Sequence, residues 1–178
     1  MRTIHKYSVF LLLLIHLQQM SKAQKSSDTL ILTNKGLKEI PDSVFLLTNL
    51  RELDLGAGWF AILPDGSEIR MENQNSITTV SAKIGNLRNL EYLDLSSNDI
   101  TILPKEFVKL QSLSTLGLSG NVKLDLESTI KILKGLPKLR KLVLTGIPGV
   151  AEQREKIRNE LPHVKKIWFT RDDVERIE

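Results

Sequence analysis

From Asn86 to Phe107 the chain reads NLRNLEYLDLSSNDITILPKEF, with leucine or isoleucine recurring at 87, 90, 93, 95, 100 and 103 and a proline at 104. A helix repeats every 3.6 residues and a strand every 2, and neither period accounts for this spacing. With Leu90 as place 1, the apolar residues take places 1, 4, 6, 11 and 14, and the proline takes place 15. Leu50, Leu53, Leu55, Phe60, Leu63 and Pro64 fill the same places from a start at 50. Leu30, Leu32, Leu37, Ile40 and Pro41 do so from a start at 27. Leu113, Leu116 and Leu118 open another copy, followed by Leu139, Leu142 and Leu144, then by Val164, Ile167 and Phe169. Starts at 27, 50, 90, 113, 139 and 164 are separated by 23, 40, 23, 26 and 25 residues. Such a period belongs to a stack of similar units, because no single unit can cover its own apolar side.

Within each copy, x-Leu-x-Leu-x alternates at strand period. Places 4 and 6 therefore point inward, while 3, 5 and 7 stand on the opposite face of a sheet of parallel strands. Places 11 and 14 fill the interior together with Val44, Ile84, Phe107, Leu133 and Ile157 on the return limbs. Pro41, Pro64 and Pro104 fix φ and remove an N–H where the chain enters those limbs. The limbs read as 3₁₀ or loose helix, except Asp125 to Lys134 and Val150 to Glu160, which read as α-helix, with Gly135 ending the first.

The step of 40 exceeds the 23-residue period by 17. Asn75, Ile77 and Val80 fit places 9, 11 and 14 of a start near 67, with Ser81 where proline stands elsewhere. The favoured reading is a shortened repeat beginning there, irregular over 65–80, with Ile69 and Met71 inward. A hairpin turning at Asp65-Gly66 is the other reading. Trp59 is expected to pack against this segment.

Six copies in register resemble the leucine-rich repeat family, in its 23-residue class with Leu/Ile-Pro at the turn, over Ser27 to about Phe169. The likeness extends to exported bacterial members. It implies an α/β fold: a right-handed leucine-rich-repeat solenoid with a parallel concave sheet of six to seven short strands. Units start near 27, 50, 67, 90, 113, 139 and 164. In this family an asparagine at place 9 satisfies backbone groups inside the turn. Asn98 and Asn121 occupy that place, whereas Lys35, Gly58 and Ile147 do not, so the ladder should break in the first, second and fifth units. The helix from Val150, with Ile157 and Leu161 inward, and the segment after it are expected to lid the last coil.

The formal charge of +4 owes three cations to the first 23 residues, which contain no acid. Without them 22 Lys+Arg face 21 Asp+Glu, and bulk charge gives no case for nucleic acid. The same residues, 1–23, read as a signal peptide: a charged start, an apolar run from Tyr7 to Leu17, and Ser21-Lys22-Ala23 before the cut. The run is too short to cross a bilayer, which needs about 20 residues. Residues 24–178 would form the repeat domain, delivered to the periplasm or outside the cell, with no membrane insertion after cleavage.

The chain has no cysteine. Thiol nucleophiles and cysteine-based zinc clusters are excluded, and an exported fold must stand on packing alone. Beyond the leader one histidine remains, His163, read as a solvated turn residue. The paired carboxylates Glu52/Asp54 and Glu91/Asp94 lie on or beside an exposed strand face, where a raised pKa is not expected. We therefore expect no enzyme, no cofactor and no metal.

Places 3 and 5 carry Glu52 and Asp54, then Tyr92 and Asp94, on the earlier strands, and Lys141, then Lys166 and Trp168, on the later ones; Arg140 adds a cation at the rim. Arg51 runs against this gradient. The family resemblance implies a protein or peptide partner held on the concave face, and the gradient selects one of opposite polarity. Tyr92 and Trp168 would be its apolar anchors. A cell-surface or cell-wall glycan-binding protein is the alternative.

Overall fold

The computed structural model describes residues 28–56, 61–62, 68–69, 73–170 and 172–175. The expected signal segment 1–23 lies outside the described residues, as do Gly58, Trp59, Phe60, Leu63, Pro64, Met71 and Arg171.

Six three-residue strands form one parallel sheet: β1 (Thr29–Ile31), β2 (Glu52–Asp54), β5 (Tyr92–Asp94), β6 (Thr115–Gly117), β7 (Lys141–Val143) and β8 (Lys166–Trp168), in the order β1-β2-β5-β6-β7-β8. The register aligns Leu30, Leu53, Leu93, Leu116, Leu142 and Ile167 in one row, each at most 9% exposed. Among the described residues, apolar partners at the other inward places, from Leu32 and Ile40 to Val164 and Phe169, belong to the same buried cluster, and Leu37 packs against it partly buried.

Return limbs follow the sequence expectation. Three are five-residue 3₁₀ turns, Asp42–Leu46, Ala82–Asn86 and Lys105–Lys109, entered from Pro41, Ser81 and Pro104. Ser81 replaces the ring with a cap, its hydroxyl accepting from the Lys83 N–H at 3.3 Å. The limb after β6 is the α-helix Leu126–Leu133, whose Asp125 cap accepts from Ser128 N at 3.0 Å. The limb after β7 holds a helix over Arg154–Glu160, starting later than the expected Val150. Gly149, at φ 74, directs the chain into tight turns first, held by Val150 N to Ile147 O and Arg154 N to Ala151 O.

Between β2 and β5 the observed chain departs from the favoured reading. Among the described residues no strand of the sheet lies between them: β2 pairs directly with β5, Glu52 opposite Tyr92 and Asp54 opposite Asp94. Instead β3 (Ala61–Ile62) and β4 (Glu68–Ile69) form a separate antiparallel pair, the hairpin alternative. Leu55 ends the strand side of the second turn and Asn75 resumes it. The described pair β3–β4 therefore lies in an excursion from one coil, because a strand ladder tolerates a long connection far better than a missing partner.

The asparagine ladder is correspondingly more complete than expected. Asn98 Oδ1 accepts from Ile77 N at 2.9 Å and Asn121 Oδ1 from Ile100 N at 3.0 Å, so each side chain serves the coil before it. Asn75 does the same for the first coil, accepting from Lys35 N at 3.0 Å and Leu37 N at 2.9 Å. Its amide donates to Leu32 O and Leu55 O at 2.8 and 3.0 Å. The second unit is therefore not a break; the excursion returns an asparagine to the place Gly58 leaves unfilled. In the fifth unit the place does hold an apolar residue, Ile147, buried at 4% exposure.

The last coil is lidded as expected. Ile157 and Leu161 face inward, at 2% and 0% exposure. Arg154 and Arg158 lie over the Phe169 ring at 5.3 and 5.5 Å. Asp173, on the short helix Asp172–Glu175, accepts from Phe169 N and Thr170 N at 2.8 and 2.9 Å, and these two bonds with the Arg154 cation hold its carboxyl below the ordinary value against the opposing pull of burial.

Candidate functional site

The strand face opposite the leucines is the candidate site, and the ladder sorts it into rows. Place 3 gives Thr29, Glu52, Tyr92, Thr115, Lys141 and Lys166; place 5 gives Ile31, Asp54, Asp94, Gly117, Val143 and Trp168. Place 7 is closed off on the four inner strands. Gly56, Ser96, Ser119 and Thr145 are buried there, and the Thr145 hydroxyl donates to Ser119 Oγ at 3.0 Å. Immediately beyond, the chain reverses in the left-handed region at place 8, with φ of 55 at Asn34, 55 at Ser97, 70 at Gly120 and 72 at Gly146. Two accessible rows remain.

At the acidic end, Asp54 and Asp94 sit side by side on paired strands. One oxygen of each is committed locally: Asp54 Oδ1 accepts from Gly56 N at 2.9 Å and Asp94 Oδ1 from Ser96 N at 2.8 Å. Gly117 makes room for Asp94, since a Cβ at that position would stand 2.5 Å from its Oδ1 and 2.9 Å from Ser96 Oγ. Glu52 is exposed and accepts from the Thr29 hydroxyl at 3.1 Å. Tyr92, 36% exposed, lies against this group. Burial first, and the charges of Asp94 and Asp54 next, push its phenol up to about 12.

In a Tyr7→Phe variant Tyr92 is the sole phenol, and ultraviolet titration should show one transition near that value instead of the usual value of about 10. Because the fold favours the neutral phenol, its contribution to stability is intact below about pH 10 and is lost as the pH rises towards about 12. Adding Asp54→Asn and Asp94→Asn should lower the transition; an unmoved midpoint would mean that the carboxylates do not set the local potential.

At the other end Lys141 and Lys166 are exposed neighbours in one row, and Trp168 is half-buried in the next. Arg140, expected beside them, is turned to the backbone: its Nη1 donates to Pro137 O at 2.8 Å, Leu139 O at 2.9 Å and His163 O at 3.5 Å. Arg51, which contradicts the gradient in sequence, is neutralised by Glu91 at 2.7 Å and Asp28 at 3.8 Å. His163 is half-buried, and its Nε2 is enclosed without a hydrogen-bond partner among the described residues, which differs from the solvated turn residue expected. The structure thus brings Glu52, Asp54, Tyr92 and Asp94 together, brings Lys141, Lys166 and Trp168 together, and leaves Arg140 at the margin. Gly117 carries no chemical signal in the sequence; only the lean of Asp94 towards it reveals its part.

Tyr92 and Trp168 stand in different rows three strands apart, about 14 Å at the ordinary strand spacing. They do not form one stacking platform. Among the described residues, no group of three or more His, Cys, Asp or Glu is arranged to hold a metal ion, and no helix is long and apolar enough to cross a membrane.

A family model described as leucine rich repeat matches residues 73–122, a span containing all three ladder asparagines. A probable disease resistance protein of Arabidopsis thaliana is 30% identical over 141 residues, 76% of this chain and 16% of that protein. An adenylate cyclase of Schizosaccharomyces pombe is 32% identical over 127 residues, 67% of this chain and 7% of the cyclase. A leucine-rich repeat-containing protein of Bos taurus is 33% identical over 93 residues, 51% of this chain and 48% of that protein. The chain therefore spans less than half the length of each of these relatives. Among solved structures, a plant peptide hormone receptor in complex with RGF2 matches with TM-score 0.49 and 22% identity, over 74% of this chain and 18% of the receptor. A leucine-rich repeat protein of Leptospira interrogans matches with TM-score 0.39 and 24% identity, over 78% of this chain and 48% of that one.

Proposed function

Because the chain is a leucine-rich repeat protein whose sheet is an open ribbon, we propose that it is a non-catalytic, exported interaction module holding a protein or peptide partner on its concave face. One observation carries this reading: the ladder gathers exposed or half-buried Glu52, Asp54, Tyr92 and Asp94 at one end and Lys141, Lys166 and Trp168 at the other. Charges so sorted favour one partner orientation and disfavour others. Arg140 contributes by holding the turn that presents Lys141. The glycan alternative needs aromatics sharing a plane, and the separation of Tyr92 from Trp168 does not support it. Export rests on residues 1–23 and is tested by sequencing the mature N-terminus.

The docking face is tested with a photo-crosslinking residue placed at Tyr92 or, as a reference away from the sheet, at Val122, which is 54% exposed. In the native host, Tyr92 should yield a discrete adduct that Lys141→Glu with Lys166→Glu removes, and Val122 should not. Equal adducts at both places, or an adduct indifferent to the lysines, would refute the concave reading.

A further inference from the structure

The two accessible rows also limit the shape of the occupant. Places 3 and 5 are two residues apart along each strand, so the strip is about 7 Å wide between side-chain roots. The buried place 7 closes its upper side: Ser96, Ser119 and Thr145 are 9%, 4% and 5% exposed. A helix with its side chains is about 10 Å across, whereas one extended chain fits a two-row strip. Crossing the strands, such a chain passes from the Asp54/Asp94 pair, across β6, to the Lys141/Lys166 pair. Those pairs are three strand spacings and one row apart, about 16 Å on the diagonal.

In an extended chain, alternate side chains share a face and residues i and i+4 lie about 14 Å apart. The reach of the flexible lysine stems covers the remainder. The residue at i+2 then falls over β6, between Tyr92 and half-buried Val143 on the flanking strands. Of the charges near this path, Arg51 is paired with Glu91 and Asp28, and Arg140 is bound to carbonyls, so neither competes. Lys141 and Lys166 form no ion pair among the described residues, and Asp54 and Asp94 each commit one oxygen to a backbone N–H.

We propose, on the strength of the concave docking reading, that the occupant is an extended peptide segment crossing the strands, with a basic residue on Asp54/Asp94, an apolar residue two positions along over β6 between Tyr92 and Val143, and an acidic residue two positions further over Lys141/Lys166. The recognised pattern is basic-x-apolar-x-acidic, or its reverse in the opposite chain direction.

The test uses three fluorescent synthetic peptides, GSRSVSESG, GSRSVSRSG and GSESVSESG, titrated against the full chain by anisotropy. The mixed-charge peptide should bind at least tenfold more tightly than either same-charge peptide, and its advantage should fade with salt. Asp54→Asn with Asp94→Asn keeps the acceptors for Gly56 N and Ser96 N, so the fold is preserved while the mixed-charge advantage should vanish. Lys141→Glu with Lys166→Glu, at exposed positions, should transfer preference to the doubly basic peptide. Three peptides binding alike, no binding of any, or unchanged preference in both variants would overturn the proposal. If the Tyr92 adduct still forms in the host while the peptides fail, concave docking stands and the occupant is not an extended segment of this polarity; if both fail, the docking reading falls with it.

Discussion

Asn75→Ala should lower the free energy of unfolding by about 4 kcal/mol, measured by urea denaturation. The side chain is 3% exposed and bonds four backbone groups in two coils: Lys35 N, Leu37 N, Leu32 O and Leu55 O. A buried polar group left without a partner costs about 1 to 3 kcal/mol. Both carbonyl contacts are buried, while the two N–H groups, being partly buried, can recover water. Asn75→Asp should be no milder, since a carboxylate retains the acceptor for Lys35 and Leu37 but loses the donor to the two carbonyls.

The informative contrast is removal of residues 57–73 with Gln74→Gly at the new junction, which restores a 23-residue step from 50 to the next unit. Glycine supplies the left-handed place that Ser97 and Gly120 fill in neighbouring coils. Since β2 already pairs with β5 and Asn75 already closes the turn, this deletion should change stability by less than about 1 kcal/mol, the scale of loop-closure entropy. If the deletion unfolded the chain and Asn75→Ala left it unaffected, Asn75 would not be the closing residue of the second coil.

Phe107→Ala should remove about 3 to 5 kcal/mol, the range for emptying a buried aromatic site. The ring is 0% exposed in the middle of the stack, on the 3₁₀ limb Lys105–Lys109. Backbone bonds from Phe107 N to Pro104 O and from Leu110 N to Phe107 O hold the limb independently of the ring, which restricts collapse around the cavity. Val122→Ala, at 54% exposure, should stay within about 0.5 kcal/mol. Comparable losses at the two positions would mean that the return limb is not part of a common core.

The interior was legible because burial on a pleated strand follows a two-residue alternation that any local stretch displays: Leu93 and Leu95 announce an inward row without reference to the rest of the chain. The asparagine places were legible in part. Asn75 stands at place 9 of a count from 67, which is correct in spacing and wrong in membership, because counting residues cannot tell a short coil from an interrupted one. The charged ends of the site could be read from places 3 and 5, but Arg51 and Arg140 could not be sorted from Lys141 and Lys166. Arg51 is taken up by Glu91, brought near by coil closure, while Arg140 turns back to the carbonyls of its own turn, Pro137 and Leu139, and residue type alone distinguishes neither from a cation that faces a partner.

The one-dimensional chain determined that this protein is a stack, which side of each strand is apolar, and where proline or serine starts the three 3₁₀ limbs, since these follow from torsion preferences and alternation within a few residues. Tertiary structure alone decided that β5 succeeds β2, that Asn75 closes the coil from which the hairpin departs, and that Gly117 yields space to Asp94. The physical reason is distance along the chain: hydrogen-bond satisfaction and side-chain clearance are settled between atoms twenty or more residues apart, and no local pattern encodes which of them will meet.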